Sequence, residues 1–274
     1  MPLAPILDIA DLTHRRAAAE TTAGGAALFY AFGNFCALAA KPDLESMRAM
    51  NRLKGRPLDQ VGSVTTTPEK AASVFGWDNL PGLSKRLVTA VMSDLHALGP
   101  IGFRGPAADH VPDHLTQRDG ETRTVQLISP GDRCPSNALV AETLERAGAE
   151  LLYITSANRS GDGSAAHCEM AAIQRDFGHD PNVVLIGHRN EAKTRRAYPL
   201  HRPCSTSIVA FHKGVLTLER HGSLHVSEIR NVALRRGLAL AIGDEAHDRV
   251  PVRRPRPALT RRRRVHRGAA ELAR

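Results

Sequence analysis

The stretch Leu151–Gly161 reads LLYITSANRSG. Its first four residues are apolar, which suits a short buried β-strand. The residues that follow are dense in hydroxyl and amide groups, and the small Ala157 and Gly161 would let a ligand approach the backbone. Ligands of open α/β sheets bind beyond the carboxyl ends of strands, so the stretch predicts a strand that runs into a binding loop. An ordinary polar turn is the alternative, because Ser, Asn and Gly also favour turns.

Strands and helices alternate on both sides of this stretch. Residues 42–54 repeat apolar side chains at helical spacing, with Asp43 at the N-cap position. Further strands are predicted at 26–30, 61–66, 122–128, 183–186, 207–211 and 215–219, and further helices from 67 onward and at 83–98, 138–147 and 165–177. This alternation predicts an α/β layered domain. The hairpin at 207–219 argues against an all-parallel sheet.

The positive charge of the chain is concentrated at its end. The net charge is +9, and residues 249–274 hold ten arginines and one acid. The other 248 residues carry 27 basic and 27 acidic side chains. Because Pro and Arg dominate the last segment and no apolar period survives, we predict a disordered basic tail at 249–274. Such a tail could bind RNA through its arginines, or it could be an unselective solvated extension.

Several protein classes are excluded by composition. No apolar run approaches the roughly 18 residues of a membrane span, and residues 1–16 lack the pattern of a secretory signal. We therefore predict a cytoplasmic protein without a membrane partner. The four cysteines are far apart and form no C-x-x-C pair, so we expect buried thiols and no metal ligands.

A second candidate segment is Lys54-Gly55-Arg56-Pro57, at the end of the predicted 42–54 helix. A point charge and a planar guanidinium two residues apart can hold the oxygens of a phosphate chain. The simpler alternative is that both cations only balance the dipole at the end of the helix.

A third candidate is the hydroxyl cluster Ser205-Thr206-Ser207, which leads into a predicted strand. Arg220 follows the next predicted strand, so the hydroxyls and the guanidinium could face one pocket. Taken singly, each feature also fits a purely structural role.

In this order, the segments resemble those of the YrdC family. The family pattern runs from a K-x-R-P loop through a T-S-A-N-x-S-G loop to an S-T strand start and a final Arg-x-G, matched here by Arg220-His221-Gly222. The resemblance covers roughly residues 22–230. It implies a single domain built on a twisted mixed sheet flanked by helices. Residues 1–21 would then be a loosely attached N-terminal extension and 231–248 a C-terminal extension.

The resemblance also implies a reaction. Members of the family are threonylcarbamoyl-AMP synthases, nucleotidyltransferases that join threonine, bicarbonate and ATP and release pyrophosphate, with Mg²⁺ beside the triphosphate. The product serves the threonylcarbamoyl modification of tRNA adenosine. The alternative is a degenerate YrdC-like domain that binds nucleotide or double-stranded RNA without synthase activity.

Residue roles follow from the same resemblance. No catalytic nucleophile is expected, since the reaction depends on positioning and charge. The expected nucleotide-binding residues are Lys54, Arg56, Thr124, Ser156, Asn158, Ser164 and Arg220. The expected amino-acid-binding residues are Thr65, Thr155, Ser205 and Thr206.

The amino-acid half of the pattern departs from the family. Residues 30–37 lack the hydroxyls of the family's P-T-E-T-x-Y-G-L segment, and Ile128 stands where the family has an arginine suited to the threonine carboxylate. Each charge-assisted hydrogen bond lost there would be worth about 1.5 to 3 kcal/mol. The acceptor could therefore be threonine or another amine or acid. Arg104, Arg133 and Arg202 are the arginines that could replace the missing contact.

Overall fold

The computed structural model describes residues 3–78, 80–159 and 168–247. Predictions for Ser160, Gly161, Ser164 and the 249–274 tail lie outside the described residues.

One mixed β-sheet runs through the described residues. Its strands are β1 (Ile6–Asp8), β2 (Ala27–Phe32), β3 (Phe35–Ala40), β4 (Ser63–Thr65), β5 (Ile101–Pro106), β6 (Gln117–Asp119), β7 (Thr122–Ser129), β8 (Leu152–Ser156), β9 (Val183–Gly187), β10 (Ile208–Ala210), β11 (Leu216–Arg220) and β12 (Leu240–Ile242). Their order across the sheet is β1-β9-β2-β3-β8-β4-β7-β5-β10-β11-β12, with β6 paired to β7. Parallel and antiparallel pairs alternate irregularly, and the predicted hairpin is β10–β11.

Helices cover both faces of this sheet. They are α1 (Leu12–Ala23), α2 (Leu44–Leu53), α3 (Lys85–His96), α4 (Ser136–Ala147), α5 (Met170–Phe177), α6 (Glu191–Arg196), α7 (Val226–Arg235) and α8 (Asp244–His247), with 3-10 turns at Pro68–Val74 and Asp113–Leu115. None of these described helices combines the length and the apolar character that a membrane crossing needs. The predicted α/β class, a twisted mixed sheet flanked by helices, is confirmed.

Side chains alternate between the two faces of the sheet, as strand geometry requires. Phe29 of β2 packs in one hydrophobic cluster with side chains of α2, α3, α5 and α7. Its neighbours Leu28 and Tyr30 pack in a second cluster with α1 and α4. The domain therefore has one apolar core on each side of the sheet.

The N-terminal segment is part of this sheet, so the expectation of a loosely attached extension is wrong. Strand β1 pairs in parallel with β9, and Ala18 and Ala19 of α1 are fully buried. Arg15 also reaches Glu142 of α4 at 3.3 Å. At the other end, β12 pairs in parallel with β11, so residues 240–242 extend the sheet as well.

Five strands were not predicted from the sequence: β1, β3, β5, β6 and β12. Strand β3 follows β2 after the tight turn Gly33-Asn34, where Gly33 has a φ of 61°. Strand β5 starts directly after Gly99-Pro100, beyond the end of the predicted 83–98 helix. Two predicted helices also differ: the first turns after Thr67 are a 3-10 helix, and α5 begins at Met170.

On one face of the sheet, polar side chains cover about half of the strands. In the central strands, Val64, Leu127 and Phe103 point into the core that contains α2 and α3. Residues one position along each strand point to the opposite face, and these include Gln126 and Arg104. Helices α1 and α4 pack over β2 and its neighbours in that face, and the polar half beyond them forms a concave surface.

Candidate functional site

A cavity of about 220 Å³ lies on this concave surface, where strands from both halves of the sheet meet. Its described lining consists of Phe35, Ala37, Arg56, Gln60, Val61, Gly62, Ser63, Arg104, Gln117, Gln126, Ile128, Ile154, Thr155, Ser156, Ser205, Thr206 and Arg220. The three segments singled out in the sequence, around residues 54–57, 151–161 and 204–220, thus converge on one site.

The charge of the cavity is one-sided. Its described lining includes the three guanidiniums of Arg56, Arg104 and Arg220 and no carboxylate. Five hydroxyl side chains and three amide side chains complete the polar surface. Such a surface suits a ligand with several anionic oxygens, since guanidiniums bind carboxylate and phosphate through paired hydrogen bonds.

Arg56 reaches the cavity because helix α2 ends just before it. Gly55 takes a φ of 68°, which a residue with a Cβ adopts only under strain, and it turns the chain out of the helix. The Arg56 guanidinium then donates from Nη1 to the Thr155 hydroxyl at 2.8 Å. This contact joins the K-x-R-P loop to the end of β8.

Lys54 lies beneath the same loop, and its side chain is not part of the described cavity wall. It is 1% exposed, and its ammonium contacts the Ser156 carbonyl and, at 3.3 Å, the Thr155 hydroxyl. Burial, with a smaller effect of the Arg56 charge, lowers the pKa of Lys54 to about 6. In this structure Lys54 is therefore placed to support the Thr155-Ser156 turn from below.

Arg220 and the hydroxyl cluster form another wall. The guanidinium of Arg220 donates from Nε to the Thr206 carbonyl at 2.9 Å and from Nη2 to the Thr206 hydroxyl at 3.0 Å. Ser205 lies next to them in the cavity lining. The order of β10 and β11 explains this contact, because the start of one strand pairs with the end of the other, Ile208 with Arg220.

Arg104 entered the sequence analysis only as one of three arginines that could replace the missing carboxylate contact, and it lies in the cavity lining. It is held in the middle of the sheet by a chain of hydrogen bonds: its Nη2 donates to Gln126 Oε1 at 3.1 Å, and Gln126 Nε2 donates to Ser63 Oγ at 2.6 Å. Glu219 also lies 3.3 Å from its Nε. In the sequence, the apolar residues Ile101 and Phe103 alternate with positions 102 and 104, which is the pattern of a strand with one apolar face. This pattern could have identified Arg104 as a residue on the opposite face of that strand.

Ile128 lines the cavity where the family pattern has an arginine. Of the three arginines that could replace it, Arg104 lines the cavity, whereas Arg133 and Arg202 are not among the described lining residues. The strand register explains the placement: Arg104 pairs with Gln126, two residue pairs along the strands from Gly102 and Ile128 and therefore on the same face.

Other predicted site residues lie elsewhere. Thr65 is fully buried on β4, and Thr124 is buried with its hydroxyl donating to the Gln117 carbonyl at 3.0 Å. Asn158 is half-buried and donates to the Arg159 carbonyl at 2.9 Å. None of these three belongs to the described lining of the cavity, so their ligand contacts stay predictions. Ser164 lies outside the described residues.

A larger cavity of about 640 Å³ adjoins the first and shares Arg104, Gln126 and Arg220 with it. Asp119 and Glu219 of its lining and the buried His212 nearby bring one possible metal-ligand atom each within 4.8 Å of one another. Both carboxylates are already paired with cations. Hydrogen bonds from Lys213, at 2.7 Å, and then His212 lower the pKa of Asp119 to about 2, and Glu219 contacts Arg104. The negative charges of Asp119 and Glu219 are therefore balanced by protein cations, without a metal ion.

No family model and no curated protein matches the sequence. Solved structures do match, and they define the protein as one with the YrdC-like fold of the Sua5 and YciO proteins.

The matched structures include a double variant of Sua5 from P. abyssi, with a TM-score of 0.65, 18% identity and 88% of this chain covered. P. abyssi Sua5 complexed with L-threonine matches with a TM-score of 0.62, 17% identity and 89% coverage. E. coli YciO matches with a TM-score of 0.58, 17% identity and 83% coverage, over 100% of its own length. This chain spans 66% and 63% of the two Sua5 chains.

Proposed function

We propose that the protein binds ATP on this concave surface and forms a carbamoyl-adenylate from ATP, bicarbonate and an amino acid. The observation that carries the proposal is the cavity wall with three guanidiniums and no carboxylate among its described residues. The triphosphate of ATP, the pyrophosphate product and the carboxylate of the amino acid are all anionic, and together they match such a wall. The Sua5 structure with bound L-threonine, which shares this fold, supports an amino acid as the co-substrate.

The reaction requires the protein mainly to position the substrates and to stabilise negative charge. The amino nitrogen forms a bond to the carbon of bicarbonate, and water leaves to give a carbamate. A carbamate oxygen then attacks the α-phosphorus of ATP while the bond to the β-phosphate oxygen breaks, and pyrophosphate leaves with the electron pair. Amino acid, bicarbonate and ATP thus give carbamoyl-AMP, pyrophosphate and water.

The residues on the cavity wall suit these steps. Arg56 and Arg220 are fixed by hydrogen bonds to Thr155 and Thr206, so their charges need no reorganisation when negative charge moves onto the leaving pyrophosphate. Ser156 and Ser205 add neutral donors on opposite sides of the cavity. The role of Lys54 is to position the Thr155-Ser156 turn.

The described lining does not fit a resident Mg²⁺, which binds proteins through carboxylates and keeps several waters. An ion that accompanies ATP would be held by the triphosphate itself. With threonine as the acceptor, the product would be threonylcarbamoyl-AMP, the precursor of the tRNA modification that the family resemblance implies.

The test is pyrophosphate release from ATP and bicarbonate, with and without a panel of amino acids. We expect acceptor-dependent release that falls at least tenfold in Arg56→Gln. The matched control is Arg52→Gln, which removes the same charge from an exposed position in the last turn of the preceding helix α2 and should release pyrophosphate like the wild type. Absence of release together with absence of ATP binding in calorimetry would overturn the proposal. ATP binding without release would instead identify a nucleotide-binding domain that lacks the synthase reaction.

A further inference from the structure

The cavity lining combines guanidiniums with an apolar wall. This wall consists of Phe35, Ala37, Ile128 and Ile154, which also belong to the hydrophobic core that contains α1 and α4. Their exposed fractions are 7% or less, so the apolar area they offer is small. A ligand group that packs there is small and apolar as well.

Arg104 stands beside this wall. In the register of β5 and β7, Arg104 pairs with Gln126 and Gly102 pairs with Ile128. Diagonal neighbours of this kind lie about 7 to 8 Å apart at their Cα atoms. That spacing is within the reach of one amino acid whose carboxylate meets the guanidinium and whose side chain meets Ile128.

Gly102 makes room for Ile128 on this wall. A Cβ atom at Gly102 would lie 2.8 Å from Ile128 Cδ1 and 3.0 Å from Ile208 Cγ1, so the isoleucine side chain lies across the glycine. The apolar surface is therefore built by the pairing of a glycine with an isoleucine in neighbouring strands.

The guanidinium of Arg104 has hydrogen-bonding capacity for a ligand. Its contacts to Glu219 and Gln126 use Nε and Nη2, whereas a guanidinium carries five N–H donors. These contacts fix the plane of the guanidinium, and a fixed fork binds a carboxylate at a lower entropic cost.

From these observations we infer that the acceptor is an α-amino acid with a small apolar side chain, its carboxylate bound by Arg104 and its side chain packed against Phe35, Ala37 and Ile128. The inference rests on the proposed function and names the substrate class of the same site. Valine and threonine have the same shape and differ in a methyl and a hydroxyl group. An apolar wall favours the apolar member of such a pair, here valine, by a ratio of kcat/KM of roughly ten- to hundredfold.

The experiment compares valine, threonine and valinol, the analogue of valine without a carboxylate, as acceptors for wild-type pyrophosphate release. We expect kcat/KM for valine to exceed that for threonine at least tenfold, and valinol to be at least a hundredfold poorer than valine. Both comparisons use the wild-type protein and do not depend on the folding of a variant.

Variants then locate the carboxylate contact. Arg104→Gln should raise the KM for valine at least tenfold, leave the KM for ATP unchanged, and bring valine and valinol to similar rates. The exposed Arg230→Gln on α7 is the charge-matched control. The double variant Arg104→Val/Ile128→Arg moves the guanidinium from β5 to β7 and should shift the preference toward threonine.

The possible results distinguish a failure of this inference from a failure of the proposed function. Release that depends on threonine and not on valine would overturn this inference and leave the proposed function standing. A higher KM for ATP, rather than for valine, in Arg104→Gln would assign the guanidinium to the nucleotide and also overturn the inference. Absence of release with every acceptor would overturn the proposed function, and this inference with it.

Discussion

The side chain of Lys54 shows how strongly a single residue at this site depends on its surroundings. A lysine in the unfolded chain has a pKa near 10.4, whereas burial in the folded protein lowers the pKa of Lys54 to about 6. Between these values the unfolded state binds a proton that the folded state does not. The contribution of Lys54 to the free energy of unfolding therefore rises with pH across this window, by about 1.4 kcal/mol per pH unit.

We predict that Lys54→Met flattens this pH dependence. In urea unfolding at pH 7, 8 and 9, the stability of the variant relative to the wild type should fall as the pH rises, by about 1.4 kcal/mol per unit. The lost contacts to Thr155 and Ser156 add a constant offset to this difference. Lys70→Met, at an exposed position, is the control and should follow the wild-type curve. Parallel curves for Lys54→Met and the wild type would show that Lys54 stays charged in the folded protein.

At the residue scale, sequence reasoning recovered the groups that are adjacent to a loop or a strand end. Arg56, Thr155, Ser156, Ser205, Thr206 and Arg220 were named from the sequence, and all six line the cavity. Arg104 could not be chosen over Arg133 and Arg202 from the sequence, because its place depends on pairing between β5 and β7, which local sequence does not reveal. The burial of Lys54 could not be predicted either, since it depends on the loop that packs above it.

At the element scale, the connection after β11 passes close to the segment before β10. A Cβ atom at Gly222 would lie 2.3 Å from the Ser205 carbonyl oxygen and 2.4 Å from the Thr206 carbonyl carbon. Both neighbours are backbone atoms and cannot rotate away. The glycine is therefore required by the close approach of two chain segments that together carry a wall of the cavity.

We predict that Gly222→Ala displaces the Ser205-Thr206 wall. Overpacking of this kind costs about 1 to 3 kcal/mol, and the variant should also bind ATP at least tenfold more weakly than the wild type. Thermal unfolding and calorimetry measure the two effects. Gly24→Ala is the control, because Gly24 has an ordinary φ of −72° and its nearest neighbour would lie at 3.2 Å. Wild-type ATP affinity in Gly222→Ala would contradict the role assigned to this wall.

The placement of α1 leads to a further prediction. Ala18 is fully buried and its neighbour Ala17 is exposed, so the same substitution at the two positions tests how firmly the helix is packed. Ala18→Glu should lower the free energy of unfolding by several kcal/mol, because it forces a charged side chain into the core. Ala17→Glu should change it by less than about 0.5 kcal/mol. Equal stabilities in chemical unfolding would indicate a loosely attached segment after all.

The elements differ in how far sequence reveals them. Helix α2 was predicted because its apolar spacing and the Asp43 cap agree, and the Asp43 carboxylate does accept from the Ser46 amide at 2.8 Å. Strand β3 was missed, although the Gly33-Asn34 pair between two apolar runs is a sequence signal for a two-residue hairpin turn. The three-residue strand β1 was missed because such a short strand has no periodicity to detect, and its pairing with β9 joins segments far apart in the chain.

At the scale of the whole molecule, charge is divided between two regions with different consequences. The first 248 residues have equal numbers of basic and acidic side chains, yet the described lining of their cavity is purely cationic. The folded domain is therefore neutral as a whole and carries a local group of cations at the proposed site. The overall charge of +9 comes from the ten arginines and one acid of residues 249–274.

This division predicts separable activities. A chain ended after Asp248 should unfold at the same temperature as the full chain and bind ATP with the same affinity, because Arg56 and Arg220 lie in the folded domain. The full chain should bind RNA with an affinity that falls steeply with salt, with a slope of roughly −0.7 per neutralised phosphate on single strands. The shortened chain should lose most of that affinity, and its remaining binding should show a shallow slope, since few phosphates can then be neutralised. Titrations of both chains with one labelled RNA at several salt concentrations measure this difference. Equal RNA affinity and equal slope for the two chains would move RNA binding from the arginine-rich segment to the concave surface. ATP should then compete with RNA, because both would need the guanidiniums of Arg56 and Arg220.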